Sequence, residues 1–183
     1  YKLNILAAVS FNADLEIGDI SYEGIENISL KDIEYAKEFG YKIKLLAIGS
    51  MVSENRISCK VHPTMIPISH PIAGIRNEFN ALFLVGDAVG EAMLYGKGAG
   101  AIPTASAIIS DIIDISFSLN QNCVKKQYLA INKSMKNISI EETSSQFYIR
   151  MLAKDTVGMF EKIAGVLGEN KISILNVIQK DII

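Results

Sequence analysis

Cysteine is scarce in this sequence, whose 183 residues include only Cys59 and Cys123. The two lie far apart and neither belongs to a CxxC pair, so nothing supports a disulfide framework or a zinc site. His62 and His70 also lack the convergent His, Cys or carboxylate partners that a metal site needs. We therefore expect no metal, and a reducing cytoplasm is the default compartment.

The sequence also lacks charge of one predominant sign and long apolar runs. Its 18 basic and 20 acidic residues are interspersed, with a formal net charge of −2, so a nucleic-acid partner is not expected. The longest apolar runs, residues 45–48 and 81–85, have the length of strands and are far too short to cross a bilayer. We expect no membrane insertion.

What is present is the composition of a soluble globular protein. Hydrophobic residues make up 49% of the chain and charged residues 21%, which predicts a packed core. The chain opens at Tyr1-Lys2-Leu3, inside an apolar helical pattern and without an initiator methionine, a basic leader or a cleavage pattern. This favours a piece cut from a longer protein.

The first two thirds of the chain predict helices around a sheet. A largely buried helix is expected from residue 3, with Lys2 at its opening, and a second helix over 30–39 is capped by Ser29 and followed by Gly40. An isoleucine-rich helix that opens at Pro103 must be covered on most sides. Strands are expected over 41–53, 56–68 and 81–85.

A polar stretch then separates this part from a second domain. We expect a first domain over 1–120, a linker over 121–145 and a second domain over 146–183. The second domain reads as a βαβ unit, with strands over 147–153 and 172–178 around a helix over 159–167. The predicted fold class is α/β (α+β), with a mixed, largely antiparallel sheet covered by helices and a partial βαβ unit after it.

Three glycines surround Lys97 in the stretch YGKGAGAIPTASA, residues 95–107. The letters GxGxxA occur here, but no ribose-binding acid follows at the end of a second strand, and the spacing does not match a P-loop. Two interpretations remain open. The stretch touches the edge of a cofactor at a helix N-terminus, or it is a tight connection packed against its own sheet.

Lys2 also has two interpretations from the residues alone. A lone lysine beside an apolar helix usually extends its ammonium to water. If it is partly desolvated beside a carboxylate, it can instead donate or accept a proton. No Ser/His/Asp or Cys/His arrangement indicates nucleophilic catalysis.

Several segments in this order and spacing resemble the homoserine dehydrogenase family. They are EGIENI at 23–28, YKIKLLA at 41–47 and VHPTMIPISHPIAGIRNEFNALFLVGDAVGEAMLYGKGAGAIPTASAIISDII at 61–113. The resemblance implies the reversible, NAD(P)H-dependent reduction of aspartate 4-semialdehyde to homoserine, in threonine and methionine biosynthesis. It also implies a homodimer.

The resemblance assigns roles to individual residues. Lys2 matches the lysine of the family's catalytic motif, whose aspartate would lie before Tyr1. Gly98 and Gly100 would border the cofactor, with Thr104 behind them. Lys97 stands where relatives often carry proline; it is expected in solvent, with contact to a phosphate as the alternative. The cofactor would be bound mainly by an N-terminal Rossmann domain outside this sequence, so the chain alone is expected to be inactive.

The tail FYIRMLAKDTVGMFEKIAGVLGENKISILNVIQK resembles the first half of an ACT domain, a regulatory module that commonly binds amino acids. Asp155 and Gly158 match its turn motif, which implies a threonine effector, while Val157 departs from the proline often found there. An alternative function is a non-catalytic amino-acid-binding regulatory module.

Overall fold

The computed structural model describes residues 1–120 and 132–180 and divides the chain into two units, Tyr1–Gln146 and Phe147–Ile183. Cys123 and the first part of the expected linker, residues 121–131, lie outside the described residues. The division between the units falls close to the expected end of the linker at 145.

The first unit is a mixed α/β structure in which the two long strand pairs are antiparallel and the two short ones are parallel. Short 3₁₀ turns at Ile17–Asp19, Pro71–Gly74 and Ile140–Glu142 join its elements. Its helices are α1 (Lys2–Phe11), α2 (Leu30–Glu38) and α3 (Ala101–Asn120). Its strands are β1 (Ser21–Tyr22), β2 (Tyr41–Ser53), β3 (Arg56–Pro67), β4 (Phe79–Gly86), β5 (Gly90–Lys97) and β6 (Lys136–Asn137).

The main sheet is built on a long hairpin. β2 and β3 pair antiparallel from Tyr41 opposite Pro67 to Ser53 opposite Arg56, with one irregularity near the turn. β1 and β6 add to β3 as short parallel partners, and β4 and β5 form a separate antiparallel pair. The predicted fold class is confirmed for this unit.

The start of α2 follows the sequence prediction. The Ser29 hydroxyl donates to Asp32 Oδ2 at 2.6 Å, and the Ser29 amide donates to the same oxygen at 2.9 Å. The Asp32 amide donates back to the Ser29 hydroxyl at 3.4 Å, so the cap is reciprocal and satisfies an amide that the first helical turn leaves free. Gly40, at φ +79°, follows the end of the helix.

The core lies between α1 and the β2–β3 sheet. Leu3 and Ala7 of α1 are buried against Ile57 and Cys59 of β3. A Cβ at Gly49 of β2 would lie 3.1 Å from the Phe11 ring, so glycine at this position lets the helix approach the strand closely. The expectation of a largely buried helix holds for one face only, because the structure shows Ile5 and Val9 exposed.

The described part of the expected linker differs from the prediction. Met135 and Ile138 are buried, and β6 pairs with β3. The Asn137 side chain accepts from the Cys59 amide at 2.6 Å and donates to the Cys59 carbonyl at 3.1 Å. The Asn137 side chain thus satisfies both backbone groups of Cys59 on β3. The polar composition that suggested a linker conceals two core residues, Met135 and Ile138.

α3 also departs from the prediction. It begins at Ala101, before Pro103, and none of its residues is buried by the described chain. The expected cover is therefore absent from the part of the molecule that the structure describes. By length and apolar composition alone, α3 meets the requirement for a membrane-spanning helix. The expectation of no membrane insertion considered only short uninterrupted apolar runs, and α3 contains polar residues among its apolar ones.

Over residues 147–180, the second unit contains one helix, α4 (Met159–Glu169), which begins after Gly158 at φ +82°. The strands expected over 147–153 and 172–178 do not form within the described residues. A strand requires a hydrogen-bonded neighbour, and these two segments do not pair with each other. Leu152 and Leu175 are exposed as a result.

Candidate functional site

The β4–β5 hairpin positions the glycine-rich segment. Phe79 is the register partner of Lys97, and the Phe79 ring stacks on Tyr95 with the ring centroids 4.8 Å apart. The Gly98 amide donates to the Glu78 carbonyl at 3.1 Å, so the hydrogen bonding of the hairpin extends one residue past β5. The segment therefore leaves a defined scaffold before α3 begins.

The glycines at 98 and 100 each have a local structural reason. A Cβ on Gly98 would overlap the Asn80 side chain. Gly100 has φ +121°, a conformation that favours glycine, and its Cβ would lie 3.4 Å from the Pro103 ring. These contacts match a tight connection packed against its own hairpin, so a cofactor role depends on the space beside the segment.

An open cavity of about 640 Å³ lies beside this segment. One wall consists of small or apolar residues at the start of α3, and the other carries two opposite charges. The Lys97 ammonium lies 3.2 Å from Glu78 Oε1 and 5.6 Å from the centre of the Phe79 ring. The lining residues are Glu78, Lys97, Ala99, Gly100, Ala101, Ile102 and Pro103.

Two of these findings bear on the sequence-based expectations. Lys97, which was expected in solvent, is exposed, and its ammonium is also paired with the exposed Glu78 carboxylate. Glu78 itself was not a candidate. Strand β5, which was not predicted from the sequence, would have located it, because the register of β4 and β5 places residue 78 beside Gly98.

Gly98, Gly100 and Thr104 lie along one short stretch at the start of α3. The Thr104 amide donates to the Gly100 carbonyl at 3.1 Å and thereby closes the first helical turn. Gly100 lines the cavity, whereas Gly98 and Thr104 do not. Gly100 is thus the predicted cofactor residue that has the most direct access to this space.

Lys2 occupies the first turn of α1, with its side chain exposed. The helix start is fixed by the burial of Leu3 and by the Asn4 side-chain amide, which donates to the Leu15 carbonyl at 3.0 Å. Lys2 is not among the described residues that line the cavity beside Gly100. These contacts hold the helical turn that carries Lys2, but Lys2 does not line that wall.

A second cavity of about 270 Å³ lies between β2 and the start of β4. Two lysines near it are engaged with backbone carbonyls: Lys44 Nζ donates to Ile75 at 2.5 Å and Lys42 Nζ to Ala73 at 3.2 Å. These bonds tie the Pro71–Gly74 turn to β2, which is a structural role for both lysines.

The two histidines form local hydrogen bonds. His70 Nδ1 accepts from the Ile72 amide at 3.2 Å, and its ring contacts the edge of Phe83. His62 Nδ1 lies 2.9 Å from the Pro63 carbonyl. Within residues 1–120 and 132–180, no three His, Cys, Asp or Glu side chains are grouped closely enough to hold a metal ion.

In the second unit, Asp155 and Gly158 belong to the turn that leads into α4. The Met159 amide donates to the Thr156 carbonyl at 3.1 Å, and the Lys162 amide donates to the Gly158 carbonyl at 3.1 Å. Asp155 and Val157 are exposed in this turn. Gly158 has φ +82° and immediately precedes α4.

Two ionisable groups outside these sites have shifted pKa values. Burial raises the pKa of the Cys59 thiol to about 11. The hydrogen bond from Arg56 lowers the pKa of Glu142, aided by the Ser139 amide. Both groups lie where the segment containing β6 meets β3, so their roles are structural.

A family model described as homoserine dehydrogenase matches residues 1–113. Among curated proteins, the homoserine dehydrogenase of Helicobacter pylori is 41% identical over an alignment that covers 100% of this chain and 42% of that protein. The homoserine dehydrogenase of Neisseria gonorrhoeae is 36% identical, with 100% of this chain and 43% of that protein covered. The chain thus spans less than half the length of these relatives.

Solved structures give the same similarity. A homoserine dehydrogenase from Thiobacillus denitrificans matches with a TM-score of 0.76 and 32% identity, covering 98% of this chain and 42% of that one. A homoserine dehydrogenase from S. aureus, crystallised at pH 6.5, matches with a TM-score of 0.59 and 39% identity, covering 63% and 29%.

Proposed function

The chain belongs to the homoserine dehydrogenase family, and from this premise we propose that it supplies a proton-transfer lysine and one wall of a nicotinamide site. The reaction is the reversible, NAD(P)H-dependent interconversion of aspartate 4-semialdehyde and homoserine. The observation that carries this proposal is the family-model match over residues 1–113. Because the chain spans about 42% of its relatives' length, activity is expected only with the remaining length present.

Lys2 is the residue proposed to move the proton. Reduction of an aldehyde leaves negative charge on its oxygen, and an ammonium beside that oxygen stabilises the charge and donates a proton. In the reverse direction the neutral amine accepts the proton of the homoserine hydroxyl. Burial of Leu3 and the bond from Asn4 to Leu15 support the helical turn that carries this amine.

The cavity beside Gly100 is the proposed wall for the nicotinamide. A planar ring with an amide group needs an apolar surface with a few polar groups at its edge. Ala99, Ile102 and Pro103 provide such a surface, and the Lys97–Glu78 pair provides polar groups. A bound nicotinamide cofactor would supply or accept the hydride, and this chain's residues would hold one face of it.

The role of Lys2 is tested by substitution in the full-length enzyme. The Lys2→Ala variant is expected to lower kcat for homoserine oxidation by roughly 10²–10⁴-fold, because it removes the proton acceptor. The dissociation constant of NADPH, followed by its fluorescence, should change less than about twofold, since the cofactor wall is untouched.

Lys31→Ala is the matched control, because Lys31 is an exposed lysine on α2, and it should leave both quantities unchanged. Full turnover by the Lys2→Ala variant would reject the proton-transfer role.

The second unit is proposed to take part in feedback inhibition by threonine. A carboxylate can bind the free amides at the start of a helix, and the left-handed Gly158 opens α4 in the turn that carries Asp155. Millimolar threonine should lower homoserine oxidation by the full-length enzyme, and Gly158→Val should weaken this inhibition. Equal rates with and without threonine would argue against the proposal.

We also propose that the protein is a homodimer in the cytoplasm. The described chain buries none of the residues of α3. Even large apolar side chains on this helix, such as Ile109 and Ile112, are half-exposed. An apolar helix of this size needs cover from another chain or from parts of the protein beyond these residues.

A further inference from the structure

A short glycine-rich segment needs a side chain that anchors it. Residues 96–100 read Gly-Lys-Gly-Ala-Gly, and Lys97 is the one residue among them with a side chain longer than a methyl group. Glycine loses more conformational freedom on folding than any other residue. Whatever holds Lys97 therefore determines how well the segment keeps its place beside the cavity.

Glu78 holds this segment in two ways. Its carbonyl accepts the Gly98 amide at 3.1 Å, and its carboxylate lies 3.2 Å from the Lys97 ammonium. The ammonium also lies 5.6 Å from the centre of the Phe79 ring, within the range of a cation–π contact. One residue thus fixes two consecutive positions, by its backbone and by its side chain.

The position of this anchor determines the shape of the cavity wall. Ala99 and Gly100 follow directly and line the cavity, and α3 begins at Ala101. If Lys97 and Gly98 move, Ala99 and Gly100 move with them, because neither has a side chain long enough to anchor the segment separately before α3 begins.

We propose that the Lys97–Glu78 ion pair is a positioning device that sets the affinity of this wall for the nicotinamide cofactor. The inference rests on the function proposed above and adds two positioning residues to it. Neither side chain takes part in proton transfer, so the pair affects cofactor binding and leaves the chemical step unchanged.

The test compares four variants of the full-length enzyme: Lys97→Met, Glu78→Gln, the exchanged pair Lys97→Glu with Glu78→Lys, and the control Lys31→Met. Since exposed pairs contribute little, both single variants should raise the cofactor KM by roughly two- to fivefold. Their kcat should stay within about twofold of the unsubstituted enzyme. The exchanged pair should restore most of the affinity, and the control should change nothing.

The opposite pattern would overturn the proposal. If Lys97 simply attracted an anionic cofactor, Glu78→Gln would lower the KM, because it removes a competing carboxylate, and the exchanged pair would not restore affinity. An equal loss of kcat in both single variants would also contradict a role confined to binding.

A second readout needs no cofactor. In the full-length enzyme without cofactor, the Gly98 amide should exchange its hydrogen several-fold faster in Lys97→Met than in the unsubstituted protein, because the bond to Glu78 loses its support. Unchanged exchange would reject the positioning role. Absence of homoserine oxidation in the unsubstituted full-length enzyme would instead reject the proposed function, and the exchange measurement would still decide the role of the pair.

Discussion

At the scale of single residues, Cys59 has an environment that makes a measurable prediction. Its side chain is 2% exposed, in the core beneath α1, and burial raises its pKa from 9.0 to about 11. A raised thiol pKa means that the folded state favours the neutral thiol over the thiolate. The resulting stability is fully present below about pH 9 and is lost as the pH rises toward 11.

We therefore expect the free energy of unfolding to fall by roughly 1 kcal/mol more in the unsubstituted chain than in Cys59→Ala between about pH 8 and pH 10. Urea titrations at both pH values measure this difference. Because Cys123 and all other titrating groups are common to both proteins, the comparison isolates Cys59. Parallel pH profiles would show that the thiol ionises freely in the folded state.

At the scale of elements, β6 and its flanking residues, which the sequence suggested were a linker, pack against β3 and the end of α1. Ile138 is 8% exposed, while Ile140 in the same segment is 54% exposed. The Asn132 amide donates to the Asn12 carbonyl at 2.6 Å, immediately after α1. The segment that leads toward the second unit thus supports both β3 and the end of α1.

Ile138→Ala should lower the free energy of unfolding by about 2–4 kcal/mol, because it leaves a cavity beside β3. Ile140→Ala, the same chemical change at an exposed position, should cost less than about 0.5 kcal/mol. Denaturant unfolding followed by circular dichroism compares the two. Equal effects would mean that residue 138 is not part of the core in solution.

The sequence predicts those elements whose signals are local. The Ser29 cap lies next to α2, and the apolar pattern of β2 and β3 lies within the strands themselves, so all three are confirmed. β6 depends on contacts between Asn137 and Cys59, 78 residues apart, which no local pattern reveals. The pairing of Lys97 with Glu78 depends on the register of β4 and β5, so it was missed with β5.

At the scale of the whole molecule, the exposed apolar surface of α3 requires an explanation. A helix of this length and composition crosses a membrane or is covered by protein. We expect sedimentation without detergent to show a species of twice the 20.0 kDa chain mass. Ile109→Asp should shift it toward the monomer, whereas Ser110→Asp, one residue away, serves as the control.

A 20.0 kDa species alone, or partition of the chain into a detergent phase, would contradict the homodimer.

The family resemblance located the candidate residues in the sequence. The requirement for cover became visible only in the structure, because burial depends on neighbouring elements and not on the composition of α3 itself.

The central claim is that the amine of Lys2 transfers the proton in homoserine oxidation, and chemical rescue tests it most directly. The rate is measured in the full-length Lys2→Ala enzyme with increasing methylamine. We expect a strongly reduced rate that rises with amine concentration and with the fraction of amine in the neutral, proton-accepting form. A Lys2→Ala enzyme that is fully active, or one that amines do not rescue at any concentration, would contradict it.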